Sequence, residues 1–154
     1  MLIVSDTSPV SALLQIGRIE LLRDVFSAVC IPTAVRDELL RFHSALPEFL
    51  EVREVSDRTQ VQSLLATLDL GEAEAIVLAL ECQADRLLVD ERRCRTLATQ
   101  MGIPIIGLLG VLLLARKQGI VGSIKDTILE LRATGFYLDD AVVRTVLLAA
   151  GESP

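Results

Sequence analysis

Residues 71–95 read GEAEAIVLALECQADRLLVDERRCR, and the change of period within this stretch decides the fold. From Glu72 to Cys82 the apolar residues Ala75, Ile76, Ala79 and Leu80 recur at helical spacing and define one buried face. A turn follows, then a short unbroken apolar run, Arg86–Val89, of the kind found in strands covered on both faces. Asp90 closes that run, and the helical period resumes from Glu91 to Met101. Helix, strand and helix in so few residues form a unit of an α/β fold. Two acidic pairs, Glu72/Glu74 and Asp90/Glu91, stand where one element gives way to the next.

Working outward, the same grammar repeats. Towards the amino end, Leu2–Ser5 is an apolar strand that stops at Asp6. Thr7-Ser8-Pro9 then opens a helix, with Ser8 expected as the N-cap and Pro9 as its first residue, running to Ile16 and ended by Gly17. A short helix over 19–26, a strand at Val29–Ile31 and a helix from Thr33 to Arg41 follow. Residues 42–51 fit neither pattern well, because Pro47 interrupts them. Val52–Val55 reads as a strand and the segment to Leu68 as a helix. Towards the carboxyl end come a strand at Ile105-Ile106 and helices over 108–118, 123–134 and 141–149. Strands alternate with helices and no hairpin turn of the Asn-Gly kind occurs, which predicts a parallel sheet with right-handed crossovers.

The 154 residues are expected to form one domain, 1–154. The composition fits such a sheet, since half of the residues are hydrophobic yet only 3% are aromatic. The longest apolar run, Ile103–Ala115, is shorter than the ~20 residues needed to span a bilayer and contains Pro104, Gly107 and Gly110. Met1 leads into LIVSD with no basic segment, so no signal peptide and a cytoplasmic location are expected. The net charge of −6 argues against a broad basic face for nucleic acid but not against one approached through a bound cation. Cys30, Cys82 and Cys94 show no paired spacing and are expected to be free thiols. His43 is the one histidine, which leaves little material for a zinc site or a Ser-His-Asp triad.

The acids carry the chemistry. Asp6 and Asp90 each end a strand, where open parallel sheets bind ligands. Each is also a good helix cap. Glu72 opens a helix and is either a ligand or a favourable charge at the positive end of the helix dipole. Glu74, two residues on, points elsewhere. Beside Asp37, Glu38 is either a second inward acid or a solvated charge, and only one of that pair can face inward. Oxygen donors at several positions favour Mg²⁺ or Mn²⁺ over zinc. That is the arrangement used to hydrolyse phosphodiesters. Thr7 can lend a hydroxyl to the site, and Arg92 and Arg95 can meet RNA phosphates. For Arg93 the favoured reading is a solvated charge partnered by Glu91. A phosphoryl-acceptor role for Asp6 is weaker, because position 8 is Ser and the only lysines are Lys117 and Lys125.

These residues resemble the PIN-domain family, and most closely a prokaryotic, VapC-like group described as predicted nucleic-acid-binding proteins. The carrying segments are VSDTSPVSALLQIGRIELL (residues 4–22), IPTAVRDEL (31–39), GEAEAIVLALE (71–81), LLVDERRCRTLATQMGIPIIGLLGVLLLA (87–115) and GFYLDD (135–140). The resemblance implies a PIN-like three-layer α/β fold, with a parallel sheet in the order 3-2-1-4-5 covered by helices on both faces. It implies an Mg²⁺- or Mn²⁺-dependent endoribonuclease, often the toxin of a toxin–antitoxin pair, with RNA and an antitoxin protein as partners and a homodimer as a common state. Carried over residue by residue, the family's acids fall on Asp6, Glu38, Glu72 and Asp90. The chain has Glu72 where many such toxins have Asp. It also lacks the threonine that accompanies the fourth acid, so Glu91 stands beside Asp90 as the alternative fourth ligand. The rival expectation is a non-catalytic PIN-like module that binds nucleic acid or protein.

Overall fold

Alternating side chains in each strand send their bulk to opposite faces of one sheet, and two cores result. The computed structural model describes residues 1–154. Its strands are β1 (Leu2–Ser5), β2 (Ala28–Pro32), β3 (Leu50–Arg53), β4 (Arg86–Leu88) and β5 (Ile105–Ile106). All pair in parallel, in the order β3-β2-β1-β4-β5 that the resemblance implies.

Ile3, Val29, Ile31 and Leu88 point into one core, shared with α1 (Thr7–Gln15), α2 (Glu20–Val25), α7 (Leu108–Lys117), α8 (Lys125–Ala133) and α9 (Asp140–Ala149). Their neighbours Val4, Cys30, Leu87 and Val89 point into the other. That second core is shared with α4 (Arg58–Leu64), α5 (Leu70–Glu81) and α6 (Arg92–Gln100). Helix α3 (Thr33–Leu40) follows β2 directly, sends Val35 and Leu39 into the first core and packs against α5. No helix is long and apolar enough to cross a membrane. All three cysteines are free.

The chain order reverses beside β1. It runs outward from β1 through β2 to β3, then returns to place β4 on the other side of β1. The crevice past the carboxyl ends of β1 and β4 is therefore the topological switch point, where ligands bind in open α/β sheets. Asp6 follows β1 and Asp90 follows β4 within two residues.

Around this crevice, α5 is the central helix. Gly71 and Ala73–Ala79 are all buried, so it is enclosed on nearly every side by the sheet, α3 and α4. Its Glu74, only 4% exposed, accepts from the Ala34 backbone N–H at 3.0 Å and from Arg58 Nη1 at 2.8 Å. A buried carboxylate held in this way links α3, α4 and α5, while the half-exposed Arg58 side chain leaves its half of the ion pair screened by solvent.

Local differences from the sequence reading have physical reasons. The first helix begins at Thr7, with Asp6 rather than Ser8 at its N-cap. Pro9 therefore lies third, still within the first turn, where a missing N–H costs nothing. Asp57 caps α4 through the Gln60 N–H, and that helix ends at Leu64 rather than Leu68. The third strand begins at Leu50, inside the segment that Pro47 had obscured, and ends at Arg53 rather than Val55.

Candidate active site

A carboxylate at the end of a buried strand needs a partner charge, N–H donors or a proton. Asp6 has very little of the first two. It is 5% exposed, and although it stands at the N-cap of α1 its side chain makes no capping bond. Its backbone N–H is used by the sheet, donating to Leu88 O at 3.0 Å. Burial pushes its carboxyl up from 3.8 to about 7; the Thr7 N–H opposes this, and the charges of Glu72, Asp69 and Glu38 add to it.

Glu38 reaches the same place from α3. Thr7 Oγ1 donates to Glu38 Oε2 at 2.6 Å, which joins the first turn of α1 to α3. The carboxylate then lies against Gly71 in the first turn of α5. A Cβ at Gly71 would stand 2.5 Å from Glu38 Oε1, so only glycine leaves room for that approach. Neighbouring Asp37 is exposed and paired with Arg36, so of the two acids Glu38 is the inward one.

At the start of α5, Asp69 and Glu72 form a reciprocal capping box. The Glu72 N–H donates to Asp69 Oδ1 at 2.8 Å, and the Asp69 N–H donates to Glu72 Oε1 at 3.1 Å. Glu72 thus has a structural task. Even so, its carboxyl is pushed up to about 7, first by partial burial and then by the charges of Asp69 and Glu91, against the Asp69 N–H. Asp69 is not among the acids singled out from the sequence. It acts on both Asp6 and Glu72, and the signal for it was present in Asp69-Leu-Gly-Glu72, an acid three residues before a glutamate.

The acids after β4 divide. Glu91 caps α6, accepting from the Cys94 N–H at 2.8 Å, and stands beside Glu72. Beneath lies Cys94, fully buried, its thiol pushed up by burial and then by the charges of Asp6, Glu72, Glu91 and Asp69. Asp90 turns towards α7, where the Leu108 N–H donates to its two carboxylate oxygens at 3.1 and 3.3 Å. Burial raises its carboxyl too, but the Leu108 N–H and the Arg95 charge pull it down, and no acid of the Asp6 group acts on it.

Arg95 is committed inward as well. Its Nη1 donates to Val89 O at 3.0 Å and lies by Gly107, where a Cβ would come within 2.7 Å of it. One N–H of its guanidinium thus braces the turn that follows β4, while the side chain is only half-buried and keeps further N–H groups for the phosphate contact expected of it. Arg92 is exposed, as that reading requires.

The structure thus brings together Asp6, Thr7, Glu38, Glu72 and Glu91 with the unforeseen Asp69, and sets Asp90 and Arg95 to one side. No three acidic, histidine or cysteine side chains enclose a ready-made cation shell. A hydrated Mg²⁺ or Mn²⁺ does not need one. Mg²⁺ keeps several waters and is held by one or two carboxylates plus substrate phosphate. The donors are all oxygens, and two of them take up protons unless a cation balances them, so the residues fit such an ion.

A family model described as a PIN domain matches residues 2–152. No curated protein matches the chain.

Proposed function

Because the chain belongs to the PIN-domain family, whose members are generally nucleases acting with divalent metal ions, we propose that it is an Mg²⁺- or Mn²⁺-dependent endoribonuclease. One observation carries this reading: at the switch point Asp6 is buried with Glu72, Asp69 and Glu38 as its charged neighbours, and burial and their charges push its carboxyl up to about 7. A buried site that is short of positive charge suits a cation.

In this reading Asp6 and Glu72 hold the ion, with Glu91 or Asp90 as a further ligand. The chemistry such an ion would supply there is polarisation of the scissile phosphoryl group and a lowered water pKa. Glu38 is the second working carboxylate. Its direction is fixed by the Thr7 hydroxyl and by the space at Gly71, and it is available to orient or deprotonate the attacking water. The capping box holds Glu72 in place from behind, so the side chain that receives the ion is already ordered.

The finer reading is the toxin of a toxin–antitoxin pair, with an antitoxin protein as partner, acting as a cytoplasmic homodimer. Its support is the sequence resemblance, together with exposed apolar side chains such as Leu129 and Leu148 that suit a subunit contact. The rival, a non-catalytic binding module, draws on Asp90 being bonded to α7 and on the lack of a closed cation shell.

Incubating the purified protein with RNA and Mn²⁺, with EDTA and with Asp6→Asn in parallel, separates the two. Cleavage lost in both controls supports the nuclease. Equal, EDTA-insensitive degradation by both proteins sinks it.

A further inference from the structure

Beside Glu91 the surface opens into a groove of about 410 Å³ between α6 and the turn that precedes α5. Thr67, Arg92, Arg93, Thr96 and Gln100 line it, with Leu97 as the one hydrophobic residue. Arg93 Nη1 donates to Thr67 O at 3.3 Å, which sets its guanidinium against one wall and leaves its other N–H groups free. Arg92 is exposed beside it. In a chain of net charge −6, two adjacent arginines next to the acid cluster are a local reversal of sign.

We propose that this groove is the track for the sugar–phosphate backbone of an RNA strand, gripping the phosphates that flank the scissile one. The proposal rests on the nuclease reading of the neighbouring site. The groove's chemistry suits a backbone and not a base. Two guanidinium groups match phosphate oxygens, while two hydroxyls and an amide match phosphate and 2′-hydroxyl groups. No aromatic side chain lines it, so it has no platform on which a base could stack. Contacts of this kind position a strand without reading its sequence. The groove is also polar along its length. Glu91 at one end belongs to the acid cluster and repels a bare phosphate, whereas Arg92 and Arg93 attract one. A strand lying in it is thereby set in register, with its gripped phosphates on the arginines and the next phosphate at the acids. The track gives Arg93 a phosphate contact beside the one expected of Arg92.

The test is binding of a short fluorescein-labelled RNA in EDTA, followed by anisotropy over a salt series. For Arg92→Gln/Arg93→Gln the expected result is at least a roughly tenfold loss of affinity at low salt. The slope of log affinity against log salt should also shrink by about 1.4, as losing two single-strand phosphate contacts predicts. The Lys/Lys pair should recover most of the slope. Arg144→Gln, on α9 across the sheet, should bind like the wild type. Oligo-U and oligo-A should bind the wild type within about threefold of each other, as backbone contacts require.

Unchanged affinity and slope in the Gln pair, an equal loss in Arg144→Gln, or a Lys pair no better than the Gln pair overturns the track. So does a strong preference for one homopolymer. Both arginines are exposed, and the circular dichroism of the variants should match that of the wild type; a Gln pair that unfolds is replaced by Arg92→Gln alone, for which half the loss of slope is expected. If binding falls as expected while the wild type never cleaves RNA, the track stands and the nuclease reading falls. If cleavage is seen but the Gln pair binds normally, the reverse holds.

Discussion

Asp6 and Asp90 end neighbouring strands of one sheet, one to two residues past the last ladder pair, and both face the same crevice edge. Their surroundings differ. Asp90 receives the Leu108 N–H at the start of α7 and the charge of Arg95. Asp6 receives one local N–H and three negative neighbours. The same sequence signal, an acid after an apolar strand, thus produces two carboxylates that burial pushes up, one partly offset by an N–H and a positive charge and one pushed further by negative neighbours. The sign of what the fold brings next to each acid, not its place on the strand, separates them.

The largest effect should come from Asp6. Asp6→Asn should lower metal-dependent RNA cleavage by ~10²–10³-fold, the scale of losing one preorganised electrostatic group. The same substitution should make the metal-free protein more stable at pH 8, by ~1–3 kcal/mol in urea unfolding, because it removes a charge the fold disfavours. An Asn variant that is both inactive and less stable would break the contrast with Asp90.

The pH dependence comes next. The folded-state value of Asp6, about 7, lies above the ordinary 3.8. Its contribution to stability is therefore complete below pH ~4 and is lost as the pH rises through about 7. Glu72 is raised in the same direction. Metal-free protein should melt at progressively lower temperature as the pH rises across that window, and Asp6→Asn should flatten the curve. Mn²⁺ at pH 8 should restore much of the loss, as a ligand bound only by the folded state must.

Asp90→Ala should show the opposite balance. The Leu108 N–H and the Arg95 guanidinium lose their carboxylate, which should cost ~1–3 kcal/mol in urea unfolding. RNA cleavage should fall by less than ~10-fold, well short of the Asp6 effect. A loss as large as that of Asp6→Asn would make Asp90 the fourth ligand after all and leave Glu91 as a cap.

The two glycines give the finest version of the comparison. A methyl at Gly71 displaces Glu38 from the Asp6 group, whereas one at Gly107 displaces Asp90 and Arg95. Gly71→Ala should reduce cleavage several-fold with a stability change under ~1 kcal/mol, since the atom it meets is the far end of a flexible side chain. Gly107→Ala should change stability more than cleavage. Thermal melts and initial rates on the pair would show whether the two sides are as separate as their contacts indicate.

A parallel sheet with helices on both faces was legible in sequence, because Ile3/Val4 and Leu87/Leu88 are apolar on both sides and helices separate the strands, whereas the strand order came from the resemblance. The inward choice between Asp37 and Glu38 was left open, and it turns on Thr7 and Gly71, residues 31 or more positions away. Asp69 was missed because a lone acid in a turn carries no period, although its spacing to Glu72 is a capping signature. The bond from Arg95 to Val89 O was not foreseen either, because the guanidinium is held against Gly107, which folds back from further along the chain, and no local pattern announces that return.

The place of β4 has a consequence for how the chain comes off the ribosome. β1 can pair with β2 and β3 as soon as the first third of the chain is free, because those contacts are comparatively local. Its other edge waits for β4, more than eighty residues downstream, to insert between it and β5. Until then Asp6 lacks its strand partner at Leu88, and the acid cluster lacks Glu91. A chain that stops before β4 therefore carries an incomplete acid cluster and an open strand edge. Such an edge is a template for aggregation, and its late, long-range closure is the kind of step that slows folding. The last acid of the cluster, Glu91, follows β4 by three residues, so closure of this strand edge and completion of the acid cluster come within a few residues of each other.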